Sequence, residues 1–235
     1  MDRIEDIIKM LPIEEREYIK KYFSGAPQWL IDSLYVVNIE ENQVFVEEGF
    51  DADNIFFLLK GRVSAMDRRV YDMVYKHYEF KPMEVFGAME CTIGSEKYLT
   101  TLMTEEDSLF LKIGRKMYEK WLEEDQVVFR MQTKRTEEFL LSQVRRERLN
   151  ILLCGSDRVK LMICELYEGC DEKIKGTVCL SRRQFVERTG LSERTVTRIL
   201  KDLEVKGLLS RRGWDVVVSS KQYQEVKNQL EVKVL

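Results

Sequence analysis

Residues 180–218 read LSRRQFVERTGLSERTVTRILKDLEVKGLLSRRGWDVVV, and this stretch decides how the C-terminal part of the chain folds. Ser181 followed three residues later by Gln184 is a capping-box pattern, which predicts the start of a short helix. Gly190 then supplies a tight turn, and Ser192 can cap a second, longer helix. The stretch therefore predicts two short helices joined by a glycine turn.

The second predicted helix has two different faces. Its apolar residues recur at helical spacing and form a stripe that can pack on a core: Val196, Ile199, Leu200 and Leu203. The opposite side carries polar and basic residues three to four positions apart: Arg194, Thr197, Arg198 and Lys201. After this helix, LLS and DVVV flank RRGW, which predicts a two-stranded wing. Together these features indicate a winged helix-turn-helix.

The charge of the chain is concentrated around this motif. Nine basic and four acidic residues lie between Arg182 and Arg212, although the whole chain has a net charge of −3. From Arg146 onward, 18 Lys and Arg face 13 Asp and Glu, a balance of +5, whereas residues 1–145 carry a balance of −8. Such asymmetry indicates an anionic partner for the C-terminal part, and double-stranded DNA is the first candidate.

A helix with this basic face suits the major groove of B-DNA, where arginine can donate two hydrogen bonds to guanine O6 and N7. We expect Arg194, Thr197 and Arg198 to read bases. Phosphate contacts, which fix register without reading sequence, are expected from Ser181, Arg182, Arg183, Lys201, Arg211 and Arg212. A charged, solvated surface or a winged helix that binds protein is the alternative. Basic residues gathered on one face beside a wing favour DNA.

The bulk composition is that of a globular protein. Apolar residues make up 44% and charged residues 34% of the chain, and no apolar run is long enough to span a bilayer. The N-terminus, MDRIEDIIKMLPIEER, mixes charges into its apolar residues, unlike a signal peptide. Five cysteines are an odd number without paired spacing. We therefore expect a cytoplasmic protein with reduced thiols and no membrane association.

In the remainder of the chain, the pattern of apolar residues and turn signals changes twice. Residues 4–11 and 14–23 predict two short helices. From residue 29 to about 113, short apolar or alternating runs are separated by turn signals (QVFVEEGFDADN, IFFLLKGRVSA, YDMVYKHYEF, SLFLKIG), which predicts an antiparallel sandwich or barrel. Between about residues 116 and 153 there is neither Gly nor Pro, and good helix formers predict one long helix.

In this order, the motifs resemble the Crp/Fnr family of bacterial transcription regulators over nearly the whole chain. EEGFDADNIFFLLKGRV is similar to the family's β-roll segment, VFGAMECTIGSEKYLTTLMTEEDSLFLKI lies where its phosphate-binding cassette belongs, and GLSERTVTRILKDLEVKGLL matches its recognition helix. The resemblance implies an α+β fold: helices and an antiparallel, jelly-roll-like β-roll sensor domain at residues 1–116, a dimerisation helix at 117–153, and a winged helix-turn-helix at 154–235. It also implies a homodimer on a near-palindromic operator, with RNA polymerase as a further partner.

The cassette departs from the pattern of family members that bind cyclic AMP. Those members carry G-E-L and later an Arg-Ser that neutralises the cyclic phosphate, whereas this chain has GAM at 87–89 and KYL at 97–99. A phosphate in a pocket needs a fixed cation or several N–H donors, so we expect any effector to be apolar or aromatic rather than cyclic AMP. The residues expected to line its pocket are Gly87, Met89, Lys97, Tyr98 and Phe129.

The reading head departs from the family pattern as well. Many members begin the recognition helix with R-E-x-x-x-R, whereas residues 193–198 read ERTVTR, so the first two charges are exchanged. The resemblance adds Glu193 to the residues expected to read bases. We therefore expect a half-site that differs from the one that the common pattern reads.

Other chemistry finds little support in the residues. Iron–sulfur sensing in the family uses an N-terminal cysteine cluster, but no Cys precedes Cys91, and cysteines 154, 164 and 179 lie in or beside apolar patterns that predict burial. The single histidine, His77, lies in a strand-like run and is weak evidence for haem. G-x-S-x-G, Walker A and G-x-G-x-x-G motifs are missing. We predict that the protein is not an enzyme and binds neither a metal nor a cofactor. The competing class is a protein-interaction module with a winged helix and a degenerate roll.

Overall fold

The computed structural model of the protein describes residues 9–70, 73–169, 177–213 and 215–234. The chain divides into two compact units, residues 1–141 and 142–235. The first predicted helix lies mostly outside the described residues, whereas the second is confirmed as α1, Ile13–Tyr22. Among the helices that the structure describes, none combines the length and the apolar character needed to cross a membrane.

The N-terminal unit contains two four-stranded antiparallel sheets, which confirms the prediction of an antiparallel β fold. Its strands are β1 (Tyr35–Ile39), β2 (Val44–Val46), β3 (Asn54–Lys60), β4 (Val63–Val70), β5 (Met73–Phe80), β6 (Val85–Phe86), β7 (Thr101–Thr104) and β8 (Ser108–Gly114). One sheet has the order β1-β8-β3-β6 and the other β2-β7-β4-β5. The unit also contains two short helices, α2 (Gln28–Asp32) before β1 and α3 (Ala88–Ile93) after β6.

Strand β3 is buried on both faces, which explains its continuous apolar run IFFLL. Side chains alternate across a strand. Phe56 and Leu58 therefore enter a cluster shared by strands of both sheets, whereas Ile55, Phe57 and Leu59 enter a second cluster with the helices. Both clusters contain several aromatic rings, which meet mostly at tilted or edge-on angles, as aromatic quadrupoles prefer.

The predicted single helix over residues 116–153 is wrong, because the chain forms two helices, α4 (Arg115–Glu124) and α5 (Gln126–Leu152). Asp125 adopts an extended conformation between them, with φ −119° and ψ 97°. Its Oδ1 accepts hydrogen bonds from the N–H groups of Val127 at 2.9 Å and Val128 at 3.2 Å. Asp125 thus ends one helix and caps the next, a role that aspartate performs without Gly or Pro.

A buried hydrogen-bonded group joins α5 to the helices of the N-terminal unit. The hydroxyl oxygens of Tyr22 and Tyr118 are 2.7 Å apart, and Tyr22 donates to Gln132 Oε1 at 3.0 Å. Burial raises the pKa of both tyrosines, so their neutral forms, which can donate, are retained. Further along α5, Arg135 Nη2 lies 3.0 Å from Glu84 Oε1. These contacts fix the first half of α5 against the β-roll.

The C-terminal unit is a helical bundle with one small sheet. Its helices are α6 (Gly155–Gly169), α7 (Arg182–Thr189), α8 (Glu193–Val205) and α9 (Ser220–Val234), and its strands are β9 (Thr177–Ser181), β10 (Ser210–Arg212) and β11 (Asp215–Ser219). The wing differs from its prediction, because the sheet has three strands in the order β10-β11-β9. The first wing strand begins at Ser210, because Leu208 and Leu209 are buried in the core.

The cysteine prediction is partly wrong. Cys164 is buried, but Cys154 and Cys179 are exposed. Strand β9 alternates, with Val178 and Leu180 facing the core, so Cys179 faces outward, and Cys154 lies in the connection between α5 and α6. The side chain of His77, the weak candidate for a haem ligand, lies outside the described residues.

Candidate nucleic-acid interface and effector cassette

Three polar residues and one glycine shape the helix-turn-helix, as the sequence predicts. Ser181 accepts a hydrogen bond from the Gln184 N–H, and Gln184 Oε1 accepts one from the Ser181 N–H at 2.9 Å, which completes the capping box. Gly190 ends α7 in the left-handed region at φ 64°. Ser192 Oγ accepts from the Thr195 N–H at 3.3 Å and so caps α8. Local chemistry therefore fixes where both helices start and where the turn lies.

Helix α8 has the two faces that its sequence predicts. The buried residues are Val196, Ile199, Leu200 and Leu203, and they join the core of the C-terminal unit. Arg194, Arg198 and Lys201 are exposed on the other side. Within the parts of the chain that the structure describes, none of the three makes an ion pair or side-chain hydrogen bond. Their charges therefore face solvent.

Eight of the ten residues predicted to contact DNA line two concave surfaces. The first surface runs along α8 and is lined by Glu193, Arg194, Thr195, Thr197, Arg198 and Lys201. The second lies at the start of α7 and is lined by Ser181, Arg182, Arg183, Val186, Glu193 and Asp215. Glu193 belongs to both. The remaining two residues, Arg211 and Arg212, are exposed on β10.

Several of the predicted phosphate contacts are already paired with carboxylates. Arg182 Nη2 donates to Glu193 Oε1, and its Nη1 lies 3.4 Å from Thr197 Oγ1. Two further pairs lie in α7 and beside the wing: Arg183 Nε donates to Glu187 Oε1 at 2.5 Å, and Arg211 Nε donates to Glu204 Oε2 at 2.6 Å. Sequence reasoning missed these pairings, although the i,i+4 spacing of Arg183 and Glu187 is a recognised signal.

Two of the residues predicted to line an effector pocket, Gly87 and Tyr98, lie side by side. Gly87 has φ 85°, and a Cβ placed on it would lie 2.6 Å from Asn54 O and 3.5 Å from Tyr98 Cε1. Tyr98 is buried and donates from its hydroxyl to Asn54 O at 2.8 Å. Burial raises the pKa of Tyr98 to about 12, so the hydroxyl stays neutral. These two residues lie together, with Tyr98 occupying the space beside Gly87.

The other residues of the predicted pocket are placed differently. Lys97 is exposed and forms an ion pair with Asp51, and Met89 is half-buried on α3. Phe129, in the first turn of α5, is 45% exposed. The buried carboxylate of Glu90 accepts a hydrogen bond from the Leu99 N–H at 3.1 Å. The backbone at Leu99 can therefore donate, but its donor is already satisfied within the chain.

Within residues 9–70, 73–169, 177–213 and 215–234, no group of three or more His, Cys, Asp or Glu side chains could hold a metal ion. The side chain of His77 and the whole of Cys170 lie outside the residues that the structure describes.

The chain matches one family model and resembles several solved structures. Residues 36–125 match the family model of the cyclic nucleotide-binding domain, whereas a comparison with curated proteins found no match. Among solved structures, the c-di-GMP-responsive global regulator CLP of Xanthomonas campestris has a TM-score of 0.71 at 19% identity, over 86% of this chain and 98% of that chain. A Crp/Fnr-family transcriptional regulator from Eubacterium rectale has a TM-score of 0.72 at 12% identity, over 93% and 95%.

A third similar structure, a transcriptional regulator of the CRP/FNR family from Thermus thermophilus, has a TM-score of 0.70 at 15% identity, over 84% of this chain and 98% of that chain. Because these identities are low, the solved structures establish the fold alone, and the family model matches residues 36–125. The resemblance seen in the sequence is confirmed at the level of the fold, which the chain shares with solved Crp/Fnr transcription regulators.

Proposed function

We propose that the protein is a sequence-specific, DNA-binding transcription regulator of the Crp/Fnr type that is not an enzyme and acts in the cytoplasm. The observation that carries this proposal is the outward face of α8. There Arg194, Arg198 and Lys201 are exposed opposite the buried stripe of the helix. An α-helix fits the major groove, and side chains of this type read base edges there. The capped start of α7 and the wing then flank the groove and contact phosphates.

In this proposal, the protein acts as a homodimer on a near-palindromic operator, with RNA polymerase as a further partner. Apolar side chains on α5 support the dimer, because Phe129, Leu140, Val144 and Ile151 are all between 44% and 75% exposed. Their spacings of 11, 4 and 7 residues put them on one side of the helix. Two recognition helices then meet half-sites about one DNA turn, roughly 34 Å, apart.

Fluorescence anisotropy with duplex DNA tests DNA binding. Phosphate contacts release counterions, so we expect the logarithm of the association constant to fall linearly with the logarithm of salt concentration, by about 0.9 for each phosphate contacted. A selection from randomised duplexes should then return one preferred sequence. Absence of binding at low salt, or an interaction that salt does not weaken, would contradict the proposal and favour a protein-interaction module.

For the effector, the proposal is an apolar or aromatic molecule rather than cyclic AMP. The observations that support it are the Lys97–Asp51 ion pair and the carboxylate of Glu90 on the Leu99 N–H. Because a ligand that binds only the folded state raises the melting temperature, millimolar cyclic AMP or cyclic GMP should leave it unchanged. A rise of several degrees would show that the cassette still accepts a cyclic phosphate. Glu90→Gln is the variant to compare with the wild type in this experiment, because it removes the internal anion and keeps the side-chain shape.

A further inference from the structure

Arg182 and Glu193 form an ion pair that crosses the turn of the helix-turn-helix. Arg182 is the first residue of α7, and Glu193 is the first residue of α8. The guanidinium reaches Glu193 through Nη2 and approaches Thr197 Oγ1 through Nη1. The Glu193 side chain is 66% exposed, whereas that of Arg182 is 28% exposed. The carboxylate therefore holds the arginine and still faces solvent.

Glu193 stands at the boundary between the two concave surfaces. It lines the surface along α8 that carries the proposed base readers, and it also lines the surface at the start of α7 that carries the proposed phosphate contacts. A small rotation of its side chain would therefore exchange a guanidinium partner for a base edge. Arg182, which lines only the second surface, would then face a phosphate.

The chemistry of the two groups makes these contacts mutually dependent. An ionised carboxylate only accepts hydrogen bonds, and the base group that suits it in the major groove is the N4 amino group of cytosine. A guanidinium only donates, so a phosphate and the Glu193 carboxylate compete for the same N–H groups of Arg182. Without an amino group from which to accept, Glu193 would have no partner after leaving Arg182. Its unpaired carboxylate would then lie beside the phosphates of the DNA.

We propose that Arg182 and Glu193 exchange partners on the preferred DNA site, an inference that rests on the proposed function. Glu193 moves from Arg182 to the amino group of a cytosine, and Arg182 moves to a phosphate. On a duplex without that cytosine, the ion pair persists and the phosphate contact of Arg182 is not made. Arg182 is thereby a specificity-determining residue, although it touches no base.

The test uses the full-length protein, its preferred duplex from selection, and a duplex of random sequence. Arg182→Gln should weaken binding about tenfold on the preferred duplex, the typical effect of losing one charge-assisted contact, and by less than about twofold on the random duplex. The salt slope should fall by about 0.9 on the preferred duplex alone. Glu193→Gln should strengthen binding to the random duplex about threefold, because Arg182 is released, and lower the ratio of specific to non-specific affinity.

The double variant separates coupling from additive effects. On the preferred duplex, the effects of Arg182→Gln and Glu193→Gln should not add; a non-additive pair indicates interacting side chains. Arg211 and Glu204 provide the matched control, since they form an ion pair of the same type beside the wing, and Glu204 lines neither concave surface. Arg211→Gln and Glu204→Gln should change affinity for both duplexes by the same factor.

Equal weakening of both duplexes by Arg182→Gln would overturn the inference, because it would make Arg182 an ordinary phosphate contact. An unchanged specificity ratio in Glu193→Gln would overturn it too. A wild-type protein that prefers no duplex would refute the proposed function itself, whereas the two earlier outcomes leave that function standing. Melting curves of every variant exclude loss of folding as the cause.

Discussion

In the proposed function, Arg198 is the side chain of α8 that we expect to contribute most to base reading. It is exposed one turn beyond Arg194, on the side opposite Val196 and Leu203. Since a bidentate arginine–guanine contact is worth about 1–3 kcal/mol, Arg198→Ala should cost about this much on the preferred site. Discrimination should also be lost at one base pair per half-site. Anisotropy with duplexes that differ at single base pairs measures both effects.

Lys201→Ala is the control for Arg198→Ala. Lys201 lies on the same face of α8, but as a proposed phosphate contact its loss should weaken all duplexes alike and reduce the salt slope by about one unit. Base preferences that survive Arg198→Ala unchanged would show that Arg198 binds phosphate, and the reading role would then fall to Arg194 and Glu193.

Gly87 gives a second prediction at the residue scale, concerning stability. Its φ of 85° disfavours any residue with a Cβ, and such an atom would lie 2.6 Å from Asn54 O and 3.0 Å from Ile55 Cδ1. Gly87→Ala should therefore cost more than the roughly 1–2 kcal/mol of left-handed backbone strain alone. Gly94→Ala, at φ 72° with no atom within 4 Å of the added Cβ, should cost only that strain. Urea denaturation compares them; equal losses would contradict the clash.

At the scale of whole elements, Asp125 matters because its side chain divides what would otherwise be one helix. Asp125→Ala removes the acceptor for the N–H groups of Val127 and Val128, and loss of such a cap typically costs about 0.5–2 kcal/mol. Asp125→Asn keeps an acceptor oxygen and should retain most of the stability. Urea denaturation measures both variants. A loss of the same size in Asp125→Asn would indicate that the charge, rather than the cap, matters.

The same elements show what a sequence reveals at this scale. The capping box at Ser181, the glycine turn and the buried stripe of α8 are local, so their residue spacing predicts them. The break at Asp125 escapes prediction because EEDQVV contains neither Gly nor Pro, and the low helix propensity of a single aspartate is a weak signal. Strand β9 escapes for a different reason. TVCLS is paired only with β11, more than thirty residues later, and five residues carry too little alternation to reveal a strand.

For the molecule as a whole, the exposed apolar side of α5 predicts self-association. Val144 lies on that side of α5, whereas Lys116 is exposed on α4. Val144→Glu should place a charge in the proposed dimer interface and shift the protein to a monomer at micromolar concentration, as measured by light scattering. Lys116→Glu is the control and should remain dimeric. A dimer that persists in Val144→Glu would mean that another surface joins the protomers.

Most of the candidate DNA interface was predictable from sequence, because its residues follow from helical spacing and their local caps. The partners of those residues were not. Arg182 and Glu193 lie on different helices, eleven positions apart, so no periodicity connects them. The candidate effector cassette is less predictable. The resemblance alone indicates its residues, and whether Tyr98 fills the space beside Gly87 depends on how the loop after α3 folds back onto β3.

The carboxylates that pair with Arg182, Arg183 and Arg211 also bear on how quickly the proposed regulator would find its operator. A regulator must scan on the order of 10⁶–10⁹ competing sites, and each unneutralised cation lengthens its stay on every wrong one. Arginines already held by Glu193, Glu187 and Glu204 add less to such stays than solvated ones. The internal ion pairs would thus shorten the residence time on random DNA and speed sliding and hopping toward the operator.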